Sequence, residues 1–426
     1  MKQAGAWALG ALLAAVIALP ADARGQGPFL PYQGPDTWRS PGGIAVSPDG
    51  RNVYVSGRQG LLTLERNAVD GSLKLGTWRV DPYGGTGGGV LMAPDGSSVY
   101  VVRQDESDAK PPVKAFRRAP DGGLTAIDVD DSRQRNIEPT GAGISPLGDR
   151  VFAPNSYRGI GLYLRAPTGE LRLTGEVPIP SPQGPSVHEP MVMDSAGRLY
   201  VGLGFETSEI GVFEPVGDSI ELVQRVPCFC GSRGMTITTS GRRLVVGAAW
   251  RALAFERDPV TGRLGPMVDG YGSGGGLGWQ ARPLATHGQS MYMLDEDSVH
   301  ETRFTDTRWQ VLRTWRNGVG GANGLDDPRA LAVSPDGRNV YVASGSRYGD
   351  DGPPGTVAVF ARDPATGALS FTSLFTGPHP EPGANLRING GARYTNSRDV
   401  RVTARSVDKA GVVLSNDPGF LGSKYF

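Results

Sequence analysis

Apolar residues along this chain fall into short runs bounded by Gly, Pro, Asp and Ser, and the pattern repeats. The segment Ala45-Val-Ser-Pro-Asp-Gly-Arg-Asn-Val-Tyr-Val55 returns letter for letter at Ala332 to Val342. Weaker copies lie between, each with a Gly that closes a turn: Gly50, Gly96, Gly148, Gly197, Gly241, Gly288 and Gly337. The gaps are 46, 52, 49, 44, 47 and 49 residues, the period of propellers and related arrays. Four residues beyond the Gly stand Tyr54, Tyr100, Phe152, Val245, Tyr292 and Tyr341, while Tyr200 comes one residue early. Apolar neighbours flank most of them, as in Val53-Tyr54-Val55, which predicts strands buried on both faces.

Turn chemistry agrees. In Ser47-Pro48-Asp49-Gly50, Pro presets φ, Asp bonds nearby backbone and Gly takes the positive φ that closes a hairpin. A second hairpin follows in most units. Its first strand carries Leu64, Phe116, Tyr163, Phe213, Phe255, Phe304 or Phe360, and its turn is of the Asp70-Gly71 or Thr366-Gly367 kind. Each unit therefore reads as strands A to D, an antiparallel meander. Seven such units predict an all-β, seven-bladed β-propeller over residues 42–376. Unit six is degenerate, so six or eight blades are the alternatives.

The ends read differently. Lys2, the apolar stretch Ala6 to Leu19 and Ala21-Asp22-Ala23 make residues 1–23 a signal peptide, with an uncleaved anchor as the alternative. The expected protein is exported: periplasmic, secreted or at the cell surface. Residues 24–41 are Gly- and Pro-rich, and residues 29 to 41 are a candidate clasp for the ring. A Pro-rich linker spans 377–387. Residues 388–426 form a short β tail that resembles the opening strands of bacterial Ig-like surface repeats.

Charge sharpens this reading only a little. There are 43 basic and 43 acidic residues, which leaves no basic footprint for nucleic acid. The basic residues are 37 Arg against 6 Lys, and Arg favours planar contacts with carboxylate or phosphate. Cys228 and Cys230 are the two cysteines. Export permits a disulfide between them; reduced structural thiols and a metal site are the other readings.

In such a meander the A–B and C–D turns share one face, and the B–C and D–A connections share the other. The A–B turns are stereotyped. The opposite face is irregular, with Gly84-Gly-Thr-Gly-Gly-Gly89, Gly272-Ser-Gly-Gly-Gly276 and Gly318 to Gly324 among its D–A connections. Units two and seven carry longer B–C loops there. These loops are acidic, at Asp105, Glu106 and Asp108 and at Asp350 and Asp351. No spacing matches a known calcium loop, so solvated tips are the first reading and Ca²⁺ the second. No cofactor is otherwise expected.

No nucleophile elbow, P-loop or H-E-x-x-H zinc motif occurs. The starts of the inner strands on the loop-rich face place His188, Glu189, Arg233, Arg282 and Arg329 around a central channel. Together they could bind an anionic ligand, or activate water on a lactone while Arg holds the oxyanion. A water-filled channel with self-satisfied polar residues is the alternative. Of the other histidines, His287 is expected at an exposed turn, His300 partly buried near strand C of unit six, and His379 in the linker.

The repeat, with Val359-Phe-Ala-Arg-Asp-Pro-Ala-Thr-Gly-Ala-Leu369, resembles the lactonase-type seven-bladed propellers over roughly residues 40 to 376. That group includes bacterial 6-phosphogluconolactonase and fungal carboxymuconate cyclase, and it is close to YVTN-repeat surface proteins. The resemblance implies catalytic roles for His188, Glu189, Arg233 and Arg282. The chain departs from the family: Arg329 is followed by Ala330 and Arg233 by Gly234, and Tyr54-Val55-Ser56-Gly57 lacks the Asn of a full YVTN unit. Export also argues against a cytosolic sugar phosphate. The first expectation is therefore an exported scaffold that binds a protein, glycan or small anionic ligand through its loop-rich face, with no membrane span after signal removal. A lactone hydrolase or cyclase is the alternative.

Overall fold

The fold is described from a computed structural model. The described residues are 41–57, 60–80, 88–102, 113–127, 129–130, 142–155, 159–179, 191–203, 209–228, 234–248, 251–271, 282–304, 309–345 and 355–376, with short strand segments beyond 384. The chain divides into two compact units. One is Trp38–Gly377, and it forms seven antiparallel sheets in strand order A-B-C-D. The inner strands are Gly43–Val46, Val90–Met92, Gly143–Ile144, Met191–Met193, Gly234–Ile237, Arg282–His287 and Pro328–Val333. Each lies beside the next, and the last lies beside the first, so the ring is closed.

Blade three differs from expectation. A short segment, Val129–Asp130, leaves the end of blade two and pairs in parallel with Leu171 and Arg172, adding a fifth strand at the outer edge. Blade six corrects another expectation. Its B–C register pairs Met291 with Thr302, so Thr302 fills the place that Phe116 and Phe360 hold in blades two and seven. Phe304 lies two positions further on.

The Ser-Pro-Asp-Gly turn shows why the repeat has its sequence. Gly50 adopts φ 70° and its N–H donates to the Ser47 carbonyl at 2.8 Å. Ser47 Oγ donates to Asp49 at 2.6 Å and accepts from the Asn52 N–H at 3.0 Å. Arg51 N–H donates to the same Asp49 oxygen at 3.1 Å. The copy at Ser334 repeats these bonds with Asp336, Arg338 and Asn339.

Apolar side chains form one cluster for each pair of adjoining blades. Ile44, Val53 and Leu62 of blade one meet Ala332, Tyr341 and Val357 of blade seven. Phe152 and Ile160 of blade three meet Leu199 and Phe213 of blade four. Closure is thus by direct packing of blade on blade. The clasp proposed for residues 29–41 lies outside the described residues apart from Pro41.

A polar latch supplements this packing at five junctions. Arg118, two residues after Phe116 in strand C of blade two, reaches back to blade one. Its Nε donates to Tyr54 Oη at 2.8 Å, and its Nη2 donates to Asp49 at 2.8 Å and Asn52 at 2.7 Å. Tyr54 Oη in turn donates to the Gly122 carbonyl of blade two at 3.1 Å. The same exchange joins Arg165 to Tyr100, Arg257 to Tyr200, Arg362 to Tyr292 and Arg66 to Tyr341. All five tyrosines are fully buried. Each hydroxyl both accepts and donates, so burying it leaves no unpaired polar group. The Arg excess in the sequence is partly spent here, on carboxylates and phenols inside the scaffold.

The second unit comprises Met1–Thr37 and Pro378–Phe426. Its described parts are two antiparallel pairs: Asn385–Ile388 with Val402–Arg405, and Val413–Leu414 with Lys424–Tyr425.

Candidate functional site

The two faces of the propeller have different chemistry. On the A–B and C–D turn face, Asp, Asn and Arg side chains serve the latches, their own turns and blade-to-blade contacts such as Arg117 with Glu170 and Arg150 with Asp218. The opposite face carries the connections into the inner strands.

Arg329 is the fully described member of the predicted constellation. It is the second residue of the blade-seven inner strand, and its side chain is 14% exposed. Its Nη2 donates to Asp327 Oδ2 at 2.5 Å. Asp327 has φ 53°, and it is the one non-glycine among the described residues with positive φ. Such a conformation costs energy and persists only where its surroundings hold it. Here the Asp327 carbonyl accepts from the Gly345 N–H at 3.1 Å. Pro328 then fixes the direction of the strand. The approach is equally constrained: Asn317 Oδ1 accepts from the Leu325 N–H at 3.2 Å, Thr356 Oγ1 donates to the Gly324 carbonyl at 3.0 Å, and Ala322 and Leu325 are fully buried. The connection predicted as irregular is an anchored loop that presents an Arg–Asp pair at the start of an inner strand. A guanidinium held this way can offer a planar fork to a carboxylate or phosphate.

Arg282 opens the blade-six inner strand, in register with Leu294. Its side chain, like His188, Glu189 and Arg233, lies outside the described residues. So do Asp105, Glu106, Asp108, Asp350 and Asp351. Among the described residues no group of His, Cys, Asp and Glu is arranged to hold a metal. Cys228 is buried and disulfide-bonded, just after the last strand of blade four, Ser219–Pro227; Cys230 lies outside the described residues.

Two histidines sit away from the constellation. His300 is fully buried in strand C of blade six, with Nδ1 3.0 Å from Thr314 Oγ1 and Nε2 3.2 Å from Ser298 Oγ. Asp295 Oδ2 lies 3.7 Å from the same Nε2. Carboxylate and hydroxyl share one ring nitrogen, so this is not a relay in which Asp orients His and His activates Ser. His287 is only partly exposed, at an A–B turn. Burial first, and the neighbouring Arg362 second, lower its pKa below the usual 6.5.

Glu301 is a buried carboxylate that sequence reading missed. It accepts from Trp315 Nε1 at 2.6 Å and from the Leu369 N–H of blade seven at 3.1 Å. Its signal was the failure of unit six to fit the repeat.

No protein-family model matches the chain, and no curated protein matches it in sequence. Many solved structures match its fold. A "putative 6-phosphogluconolactonase" from Bacteroides fragilis aligns with TM-score 0.52 and 16% identity, over 74% of this chain and 90% of that one. One of the same description from Bacteroides uniformis aligns with TM-score 0.53 and 17% identity, over 77% and 94%. Hydrazine synthase from Kuenenia stuttgartiensis aligns with TM-score 0.55 and 15% identity, over 80% and 99%. Proteins with different names share the architecture, so at these identities the likeness is one of fold. The chain is a seven-bladed β-propeller, similar in fold to these structures.

Proposed function

We propose that this protein is an exported scaffold that binds an anionic group of a glycan, protein or cell-surface component through its loop-rich face. One observation carries the reading: the opposite face presents Arg329 beside a strained Asp327, at the start of an inner strand and outside the latches. The apolar stretch Ala6 to Leu19 before Ala21-Asp22-Ala23 supports export. The test screens the full chain against an array of carboxylated, sulfated and neutral glycans, alongside Arg329→Gln and Arg282→Gln. Retention on anionic glycans that falls at least about tenfold in the variants, ~1.4 kcal/mol, is expected. No retention, or retention indifferent to both substitutions, rejects the reading.

A second reading is lactone hydrolysis in the channel, and the two Bacteroides neighbours favour it. In this reading His188 or Glu189 activates water, while Arg233 and Arg282 hold the oxyanion. Hydrolysis of a sugar δ-lactone by wild type and by His188→Ala decides it. Equal rates at the uncatalysed background end the enzyme reading.

A further inference from the structure

The latch is lost as a unit, and where it is lost tells where the ring is weakest. At the junction of blades three and four, the Tyr position is Phe152 and the Arg position is Pro215. At the junction of blades five and six, they are Val245 and Phe304. The turn carboxylate does not follow the same rule: Leu147 and Ser240 stand where Asp49 stands in blade one, but so do Ala196 and His287 in the latched blades four and six. At the other five junctions Tyr and Arg are both present. A buried Arg without its phenol, or a buried phenol without its Arg, leaves polar groups unsatisfied, so the partners go together.

The two unlatched junctions are not equal. Between blades three and four, Phe152, Ile160, Leu162, Leu199 and Phe213 pack together. Arg150 also crosses to the Gly217 carbonyl at 2.7 Å. Between blades five and six the cluster is Val245, Ala252, Ala254, Met291 and Met293. Blade six there turns buried Ser298, His300 and Thr302 toward blade five, on the sheet face that holds Met291 and Met293. His300 bonds to Ser298 and Thr314, and Thr302 donates to the Met291 carbonyl at 2.9 Å; all these partners are in blade six itself. Parting the two blades breaks none of those bonds. Thr286 Oγ1 to the Ile237 carbonyl, 3.1 Å, ties the inner strands.

We propose that the junction of blades five and six is a built-in seam, at which the ring opens before it opens elsewhere. The cluster at this seam is smaller than the one between blades three and four, so it gives up less buried area when the blades separate, and among the described residues no Tyr–Arg latch resists. Arg282, at the start of the blade-six inner strand, borders this seam.

Native-state thiol labelling of the full chain tests it. Ala254 and Ala115 are buried, occupy matching positions in strand C, and face the seam and the latched junction of blades two and three respectively. The wild type has no free cysteine and serves as the blank. Under native conditions Ala254→Cys is expected to react at least about tenfold faster than Ala115→Cys, which is ~1.4 kcal/mol. Building the latch with Val245→Tyr and Phe304→Arg in the Ala254→Cys background slows it toward the Ala115→Cys rate. If that variant does not fold, the reciprocal one decides: Tyr100→Phe with Arg165→Leu speeds Ala115→Cys, while Ala358→Cys at the blade six–seven junction keeps its rate. Equal rates at Ala254→Cys and Ala115→Cys, or an Ala115→Cys rate unmoved by loss of its latch, overturn the proposal.

Discussion

Arg66 and Tyr341 stand 275 positions apart in sequence, and the guanidinium Nε donates to the phenol oxygen at 2.7 Å. The same Arg66 reaches Asp336 at 2.8 Å and Asn339 at 2.7 Å, and Tyr341 donates to the Gly71 carbonyl at 3.0 Å. Blade one is thereby fastened to blade seven by the device that joins blade two to blade one. Arg66→Met should cost about 2–4 kcal/mol, because it strands buried acceptors, and Tyr341→Phe about 1–2 kcal/mol. The double variant should lose less than the sum by about 1 kcal/mol or more. Denaturant unfolding of all four proteins checks this; strictly additive losses would contradict the latch.

Acid should weaken the ring through the turn carboxylates. Burial alone would raise the Asp336 pKa, but the Ser334 hydroxyl, the Arg338 N–H and Arg66 outweigh it and hold it below the usual 3.8. Asp49 and Asp95 behave alike, with Arg118 and Arg165 as partners. The folded value lies below the unfolded one, so the contribution is complete above about pH 5 and vanishes as pH falls through the folded value. Stability should be level from about pH 6 to 5 and then drop. Asp49→Asn, Asp95→Asn and Asp336→Asn combined should flatten that drop while lowering the plateau. An acid limb as steep in the triple variant as in wild type would place the sensitivity elsewhere.

Glu301 predicts the opposite sign. Burial raises its pKa, against the Trp315 and Leu369 N–H groups and Arg313, so its folded value exceeds the unfolded one. Its contribution is fullest below the unfolded value and is lost as pH rises through the folded one. Glu301→Gln should therefore be the more stable protein near pH 7.5, by up to about 1 kcal/mol, and should lose that advantage near pH 4. Thermal unfolding at both pH values separates this from a simple packing change, which would shift both equally.

Backbone shape gives a further contrast. Gly159 has φ 133°, and a Cβ there would collide with the Val177 carbonyl. Gly217 has φ 56°, and a Cβ there meets nothing within 4 Å. Gly159→Ala should cost more than about 3 kcal/mol and Gly217→Ala about 1 kcal/mol, read by chemical denaturation. Similar costs would mean that space at Gly159 is not limiting.

The blade count was legible because tight turns need particular residues, and seven spaced glycines announce seven turns. The tyrosines were legible as core. Their partners were overlooked, although Arg66, Arg118, Arg165, Arg257 and Arg362 each follow the strand C core residue by two positions. A charged residue in that place reads as a solvated edge until the neighbouring blade is seen beside it. Phe304 misled for the converse reason: in blade six an aromatic stands where Arg belongs, and Thr302 takes the core position. Of the channel constellation, sequence parity found the right end of the strand for Arg329. It could not find Asp327, since nothing in Asp-Pro-Arg announces a left-handed backbone.

The tyrosine hydroxyl described above takes a bond from the following blade and gives one to that same blade, so every fastening points the same way round. Such a head-to-tail connector has polarity but no address: one copy of a fastened module presents the plug and the socket that any other would need. A gene duplicating one of these modules would gain a matched interface at once. The number of modules is then fixed by the angle at which sheets pack, while identity along the circuit is left to those places where the fastener has been discarded.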